Sequence, residues 1–139
     1  DQPFDLVIST HVCRGNYHST WAARGGYLPI APLLFAREKV HTLYLEFDDE
    51  RSGGFAPLRY VSPDKTVVLG LVTTKRPDLE DPERIRERIK EAAQYVPLSR
   101  LSLSPQCGFA STEIGNKLTE EDQWKKIALV RDIAQTVWG

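Results

Sequence analysis

Methionine is absent from this 139-residue sequence, and cysteine nearly so: there are two, Cys13 and Cys107. Two cysteines cannot make the disulfide framework of small secreted domains, so metal binding or catalysis is their expected use. Histidine is also scarce, with three residues. No apolar run approaches the roughly 18 residues of a membrane span, and no signal peptide opens the chain. A cytoplasmic location away from membranes is therefore expected. An excess of charge of one sign is missing too, since the net charge is −1. That removes nucleic acid and anionic membrane surfaces as expected partners. The chain starts at Asp1 and enters an apolar run almost at once, as expected of a piece cut from something longer. What is left, 41% hydrophobic and 27% charged, is an ordinary globular composition at a length suited to one domain.

Four runs rich in Val, Ile, Leu and Tyr recur: DLVIST (5–10), TLYLEF (42–47), TVVLGLV (66–72) and RLSLSP (100–105). They are mostly continuous rather than alternating, which suits strands buried on both faces of a parallel sheet. Helical patterns lie between them. In YLPIAPLLFAREKV (27–40) the apolar positions are Leu33, Leu34 and Val40, and Pro29 and Pro32 confine the regular part to the later turns. In DPERIRERIKEAAQYV (81–96), Asp81 suits an N-cap and Pro82 the first helical position. Ile85, Ile89, Ala92 and Val96 then form one stripe. The last helix follows Thr119-Glu120-Glu121-Asp122, a capping-box-like start, with Trp124, Ile127, Val130, Ile133, Ala134 and Val137 as its stripe. Residues 48–65 read as a long loop with one short turn.

Strand and helix alternate at a spacing of about 30 residues, the βα rhythm of parallel α/β folds. Four such units make half of an eightfold barrel or a small open sheet; a closed barrel needs roughly 200–250 residues. In such folds the chemistry collects where the strands end. The first strand ends in His11 and Cys13, the second in Glu46, the third near Thr73, Thr74 and Lys75, and the fourth in Cys107. His11 and Cys13, two apart on an extended chain, point to the same side. With parallel strands, one imidazole, two thiolates and one carboxylate meet at one end of the sheet, a set suited to zinc. Each member also has a plainer reading: a core histidine, a buried thiol, a salt-bridged glutamate, or a Cys13–Cys107 disulfide.

Other features are weaker. His18 and His41 read as surface residues without partners. Gly15, Gly25 and Gly26 do not make a dinucleotide-binding GxGxxG. Asp48, Asp49 and Glu50 resemble a magnesium-type group, although adjacent loop carboxylates are usually hydrated. Arg14 and Arg51 could each hold a substrate carboxylate in a fork, or could pair with the acids beside them.

HVCRGNY, LYLEFDDERSG, VVLGLVTTK, LSLSPQCGFAST and the terminal VWG together resemble the cobalamin-independent methionine synthase family, in its single-barrel branch. The resemblance implies a (β/α)8 barrel, a TIM barrel, of which residues 1–139 are the C-terminal half, strands five to eight. It matches His11, Cys13, Glu46 and Cys107 to the family's Zn2+ ligands. It also implies methyl transfer from 5-methyltetrahydrofolate or a related donor to the thiol of homocysteine, giving methionine. Related branches that alkylate another thiol, such as coenzyme M, share the same ligands. Long-form members carry a histidine in Tyr-Asp-Ile-His-Ser-Pro where this chain has Val72-Thr73-Thr74-Lys75-Arg76-Pro77. Lys75 takes the histidine's place and is the candidate catalytic residue. Glu46, the hardest donor of the set, is expected to be the one that yields to an incoming thiol. An isolated half-barrel is expected to show two unpaired edges and an apolar inner face. Poor solubility or self-association through that open face is then expected, and a catalytically inert metal-binding half is the alternative to an active enzyme.

Overall fold

The computed structural model describes residue 3 and residues 5–110 and 112–139. Its sheet holds β1 (Ser9–Val12), β4 (Thr42–Glu46), β5 (Thr66–Val72) and β6 (Leu101–Pro105), all parallel and in the order β1-β4-β5-β6. Between β1 and β4 come a short antiparallel hairpin, β2 (Asn16–Tyr17) and β3 (Thr20–Trp21), and helix α1 (Ala31–Arg37). Helix α2 (Pro82–Ala92) joins β5 to β6, and α3 (Glu120–Trp138) follows β6. Consecutive parallel strands with crossovers between them have the topology expected of half of a (β/α)8 barrel. The strands β1 and β6 are its edges.

Register divides the sheet into two faces. Thr10, Leu43, Val67 and Leu101 lie side by side, as do Val12, Leu45, Leu69 and Leu103. These rows meet the helices, where Leu43, Leu45, Val67, Leu69, Phe35, Ile85 and Ile89 are all buried. The opposite, inner face carries Ser9, Thr42 and Thr66 in one row and His11, Tyr44, Val68 and Ser102 in the next. The expectation of an apolar inner face is thus corrected. Only β5 is continuously buried, while β1, β4 and β6 alternate and turn Ser, Thr and Tyr inward.

The helix N-termini follow the local chemistry. The Asp81 side chain accepts from Glu83 N, with Pro82 at the first position of α2. Thr119 and Asp122 form a reciprocal capping box on α3. Three readings change. The first strand starts at Ser9 rather than at residue 5, because edge strand β1 pairs only with β4, and that ladder opens at Ser9 and Thr42. Helix α1 buries Ala31 and Phe35, four apart, and leaves Leu33 exposed, because Tyr27, Phe35, Phe47 and Phe55 stack in a chain with ring centroids 4.7–5.6 Å apart. On α3, Ile133 and Lys126 are buried while Trp124 is exposed.

The expected loop 48–65 contains two 3-10 segments, Glu50–Ser52 and Ala56–Tyr60. The second takes the place of a crossover helix, burying Phe55 and Leu58 in the core. No described helix is long and apolar enough to cross a membrane.

Candidate metal centre

His11 ends the inner-face row of β1, and Cys13 follows two residues on. Glu46 closes β4 beside Gly70 of β5 and Ser104 of β6. Cys107 sits just past β6, where the β5–β6 register slips between Gly70 and Val72. This irregularity re-aims the chain, and Gln106 N then bonds Val72 O at 2.8 Å. Gly70 is what lets the two backbones approach: a Cβ there would lie 2.8 Å from Gln106 Cα and 3.0 Å from Leu45 O. As a result one ligand atom each from His11, Cys13, Glu46 and Cys107 lies within 4.8 Å of the other three. His11 Nε2 is 3.7 Å from Glu46 Oε1. Both cysteines are free, with Cys13 exposed.

The electrostatics of this cluster are those of a cation site. Hydrogen bonds with Cys107 and Glu46 raise the His11 imidazole to about 10. The same contact with His11 lowers the Cys107 thiol. Burial pushes the Glu46 carboxyl up, but hydrogen bonds from His11, Gln106 and Asn16, with the charge of Arg51, outweigh it and hold the group at about 2. A proton on His11 therefore sits amid anions. Two sulfurs, one nitrogen and one carboxylate within reach of a common centre also match the donor chemistry that zinc prefers. The residues fit the ion.

Glu46 is the most tightly held of the four. Its side chain is fully buried. Asn16 Nδ2 donates to Oε1 at 2.8 Å, Gln106 Nε2 to Oε1 at 3.2 Å, and Arg14 N to Oε2 at 3.2 Å. Its backbone is pinned as well, because Glu46 N donates to the Tyr27 hydroxyl at 2.8 Å. The expectation that this carboxylate is the yielding one finds no loose attachment here.

The three candidate cations separate. Arg14 is buried and built into the scaffold. Its guanidinium donates to Gly25 O, Tyr27 Oη and Glu46 O, and lies 4.3 Å from the Tyr27 ring centroid. Arg51 bonds Asp49 through Nε and stacks on Trp21 at 4.7 Å. Its two terminal nitrogens are buried with no hydrogen-bond partner among the described residues, Nη2 standing 3.8 Å from Glu46 Oε2 and 3.6 Å from Asp48 Oδ1. Lys75 Nζ bonds Asp48 Oδ2 at 2.6 Å, both side chains buried. Asp48 and Asp49 are thus ion-paired, which corrects for these two both the magnesium-type reading and the plainer one of hydrated loop carboxylates. His18 and His41 also have partners: His18 Nδ1 lies 3.3 Å from Gly115 O, and His41 Nδ1 accepts from Ile8 N at 3.0 Å.

Asn16, Gln106 and Tyr27 are given no role by the sequence reading above. Gln106 directly precedes a donor in SPQCGF and Asn16 follows one in HVCRGNY, so adjacency is the signal that could have found them. Tyr27 has no such signal, since it reaches Glu46 only through the fold.

The family described as cobalamin-independent synthase, catalytic domain, matches residues 4–135. Two uncharacterized proteins of Bacillus subtilis (strain 168), YxjG and YxjH, are 56% and 55% identical over 139 residues, which is 99% of this chain and 37% of each relative. A solved putative vitamin-B12 independent methionine synthase from Listeria monocytogenes is 43% identical with a TM-score of 0.76, covering 99% of this chain and 37% of that one. A B12-independent methionine synthase from Shewanella sp. W3-18-1, solved in complex with selenomethionine, shares the fold at a TM-score of 0.77 and 17% identity, over 96% and 39% of the two chains. The chain thus spans little more than a third of the length of the relatives it matches. A parallel half-barrel with a match along nearly its whole length leaves one conclusion: the chain belongs to the cobalamin-independent synthase family, within its catalytic domain.

Proposed function

We propose that this chain is the zinc-binding half of a catalytic barrel that transfers a methyl group to the thiol of homocysteine, with 5-methyltetrahydrofolate or a related compound as donor. The supporting observation is the convergence of His11, Cys13, Glu46 and Cys107 within 4.8 Å at the C-terminal ends of the strands of a family member. These four residues would hold the ion. Zinc bound there would lower the pKa of a substrate thiol, so that its sulfur is nucleophilic at neutral pH.

The chain's own residues do the rest. Asn16, Gln106 and the Arg14 backbone fix the Glu46 carboxylate. Arg51, with two unspent buried nitrogens, is the residue proposed to meet a substrate carboxylate, while Arg14 shapes the loop around the site. Sulfur forms a bond to the methyl carbon as the donor's nitrogen–methyl bond breaks, and the departing nitrogen takes up a proton. Lys75, held by Asp48, is proposed to supply that proton. Residues 1–139 then form one domain, the C-terminal half of the barrel.

A second reading is favoured by the two sheet edges and the 37% coverage of the relatives: the isolated chain binds metal, self-associates through its open face and turns nothing over. One experiment separates the two. The chain is loaded with zinc, its metal content measured, and methionine formation from homocysteine and 5-methyltetrahydrofolate followed. One zinc per chain with turnover supports transfer, and one zinc without turnover supports the inert half. No zinc, with Cys13 and Cys107 freely alkylated, overturns both.

A further inference from the structure

The hairpin after β1 is tied to the donor cluster at one end and to the far side of the sheet at the other. Asn16, its first residue, is buried, and its Nδ2 donates to Glu46 Oε1 at 2.8 Å and to Cys13 Sγ at 3.4 Å. Both partners are acceptors, so the amide must face them with its nitrogen. The hairpin turns at His18 and Ser19, both at positive φ. Beyond that turn it is anchored on the loop before α3. Ser19 N donates to Asn116 Oδ1 at 3.0 Å, and Lys117 N to Ser19 Oγ at 2.8 Å. Asn116 Nδ2 donates in turn to Thr74 O at 2.9 Å. Thr74 bonds Gln106 Oε1 through its N and Oγ1, and Gln106 Nε2 returns to Glu46 Oε1. The path closes on itself: Glu46, Asn16, hairpin, Asn116, Thr74, Gln106, Glu46.

We infer that Asn16 is a positioning residue of the donor cluster, orienting Glu46 and hydrogen-bonding the Cys13 sulfur, and that Asn116 holds the hairpin that carries it. The inference rests on the proposed metal site. Groups that bond a ligand from outside fix its orientation and set its basicity, and losing one costs about 10–100-fold in metal affinity. A single amide touching both a sulfur and a carboxylate of the set acts on two ligands at once. Asn116 reaches no donor atom, so any effect of its removal must travel through the hairpin or through Thr74 and Gln106.

The test uses the 139-residue chain with cobalt(II) as a spectroscopic probe, together with zinc competition against a chromophoric chelator. The wild-type chain is expected to take up one cobalt and show a sulfur-to-cobalt charge-transfer band. Asn16→Ala should weaken zinc binding about 10–100-fold and shift that band. Asn16→Asp, nearly isosteric, should weaken it at least as much, because a carboxylate then faces Glu46 where a donor stood. Asn116→Ala should move the band in the same direction with a smaller loss. Variants that match a cobalt-loaded wild type in band and affinity overturn the inference and leave the metal site standing. A wild-type chain that takes up no cobalt overturns the metal site, and the inference with it. Should Asn16→Ala fail to fold, Asn116→Ala decides: a shifted band supports the inference and an unchanged one overturns it.

Discussion

Substituting Gly70 by alanine should damage the donor cluster without touching a donor. A Cβ at Gly70 would stand 2.8 Å from Gln106 Cα and 3.0 Å from Leu45 O, whereas ordinary contact begins at 3.4 Å. Both neighbours are backbone, so no side chain can swing away. The end of β6 must retreat by about 0.6 Å, or β4 and β5 must part; overpacking of this kind costs about 1–3 kcal/mol. The retreat takes the 3.2 Å bond from Gln106 Nε2 to Glu46 out of hydrogen-bonding range and carries Cys107 with it. Thermal unfolding should fall by several degrees, and zinc affinity, measured by chelator competition, by about tenfold or more. Gly54→Ala is the control, because nothing lies within 4 Å of a Cβ there, and it should leave both quantities unchanged. Equal midpoint and equal zinc affinity in Gly70→Ala and wild type would refute the reasoning.

Tyr27→Phe keeps the aromatic stack but leaves the buried Glu46 N–H without its 2.8 Å acceptor, and should destabilise by about 1–3 kcal/mol in urea unfolding. Lys75→Met leaves the buried Asp48 only the longer 3.6 Å contact with Arg51 and should cost about 3 kcal/mol; the double variant with Asp48→Asn should recover much of that loss in the same assay. Chelation of metal should leave the far-UV circular dichroism intact, because the donors lie on the inner face and the core on the other, and Cys13, the exposed thiol, should be alkylated before Cys107. Zinc affinity should rise with pH, since the metal-free cluster keeps His11 protonated up to about 10 and binding must displace that proton. One proton released corresponds to about tenfold in affinity per pH unit below that value, and a flat profile between pH 6 and 8 would contradict it.

The strand ladder was legible in the sequence because it depends on local spacing, and its parallel register is what brings His11, Cys13, Glu46 and Cys107 together. TVVLGLV spans the same residues as β5, and Asp81-Pro82 marks the start of α2. Less legible were features decided by tertiary contact. Leu33 reads as a core residue, yet the aromatic chain of Tyr27, Phe35, Phe47 and Phe55 turns α1 so that Ala31 and Phe35 are buried instead. The hairpin carries no Asn-Gly or Gly-Gly signal; His18 and Ser19 adopt its positive-φ turn, and their bonds to residues 115–117, nearly a hundred positions away, hold them there. Arg14 and Arg51 look alike in the sequence, and only the fold commits one guanidinium to carbonyls and leaves the other with spare donors. Lys126 is the sharpest case. It lies outside the apolar stripe of α3, yet it is fully buried, bonding Asp78 O and both oxygens of Glu80, which in turn accepts from Thr73 N.

The period-two alternation of β1, β4 and β6 has a consequence for how this chain can change. Residues that hold the fold point to the helices, and the candidate ligands His11 and Glu46 lie in the rows that point the other way, so the two sets draw on separate positions. Tyr44 and Ser102 can then vary in size and polarity, reshaping the space around the donors, while Leu43, Leu45, Leu69 and Leu101 stay as they are. Diversification of the substrate would be open to drift along the inner rows, at a stability cost close to that of surface positions. The exception is the third row, Glu46, Gly70 and Ser104. At Gly70 the inner face and the backbone packing coincide, and there the chain has no freedom to explore.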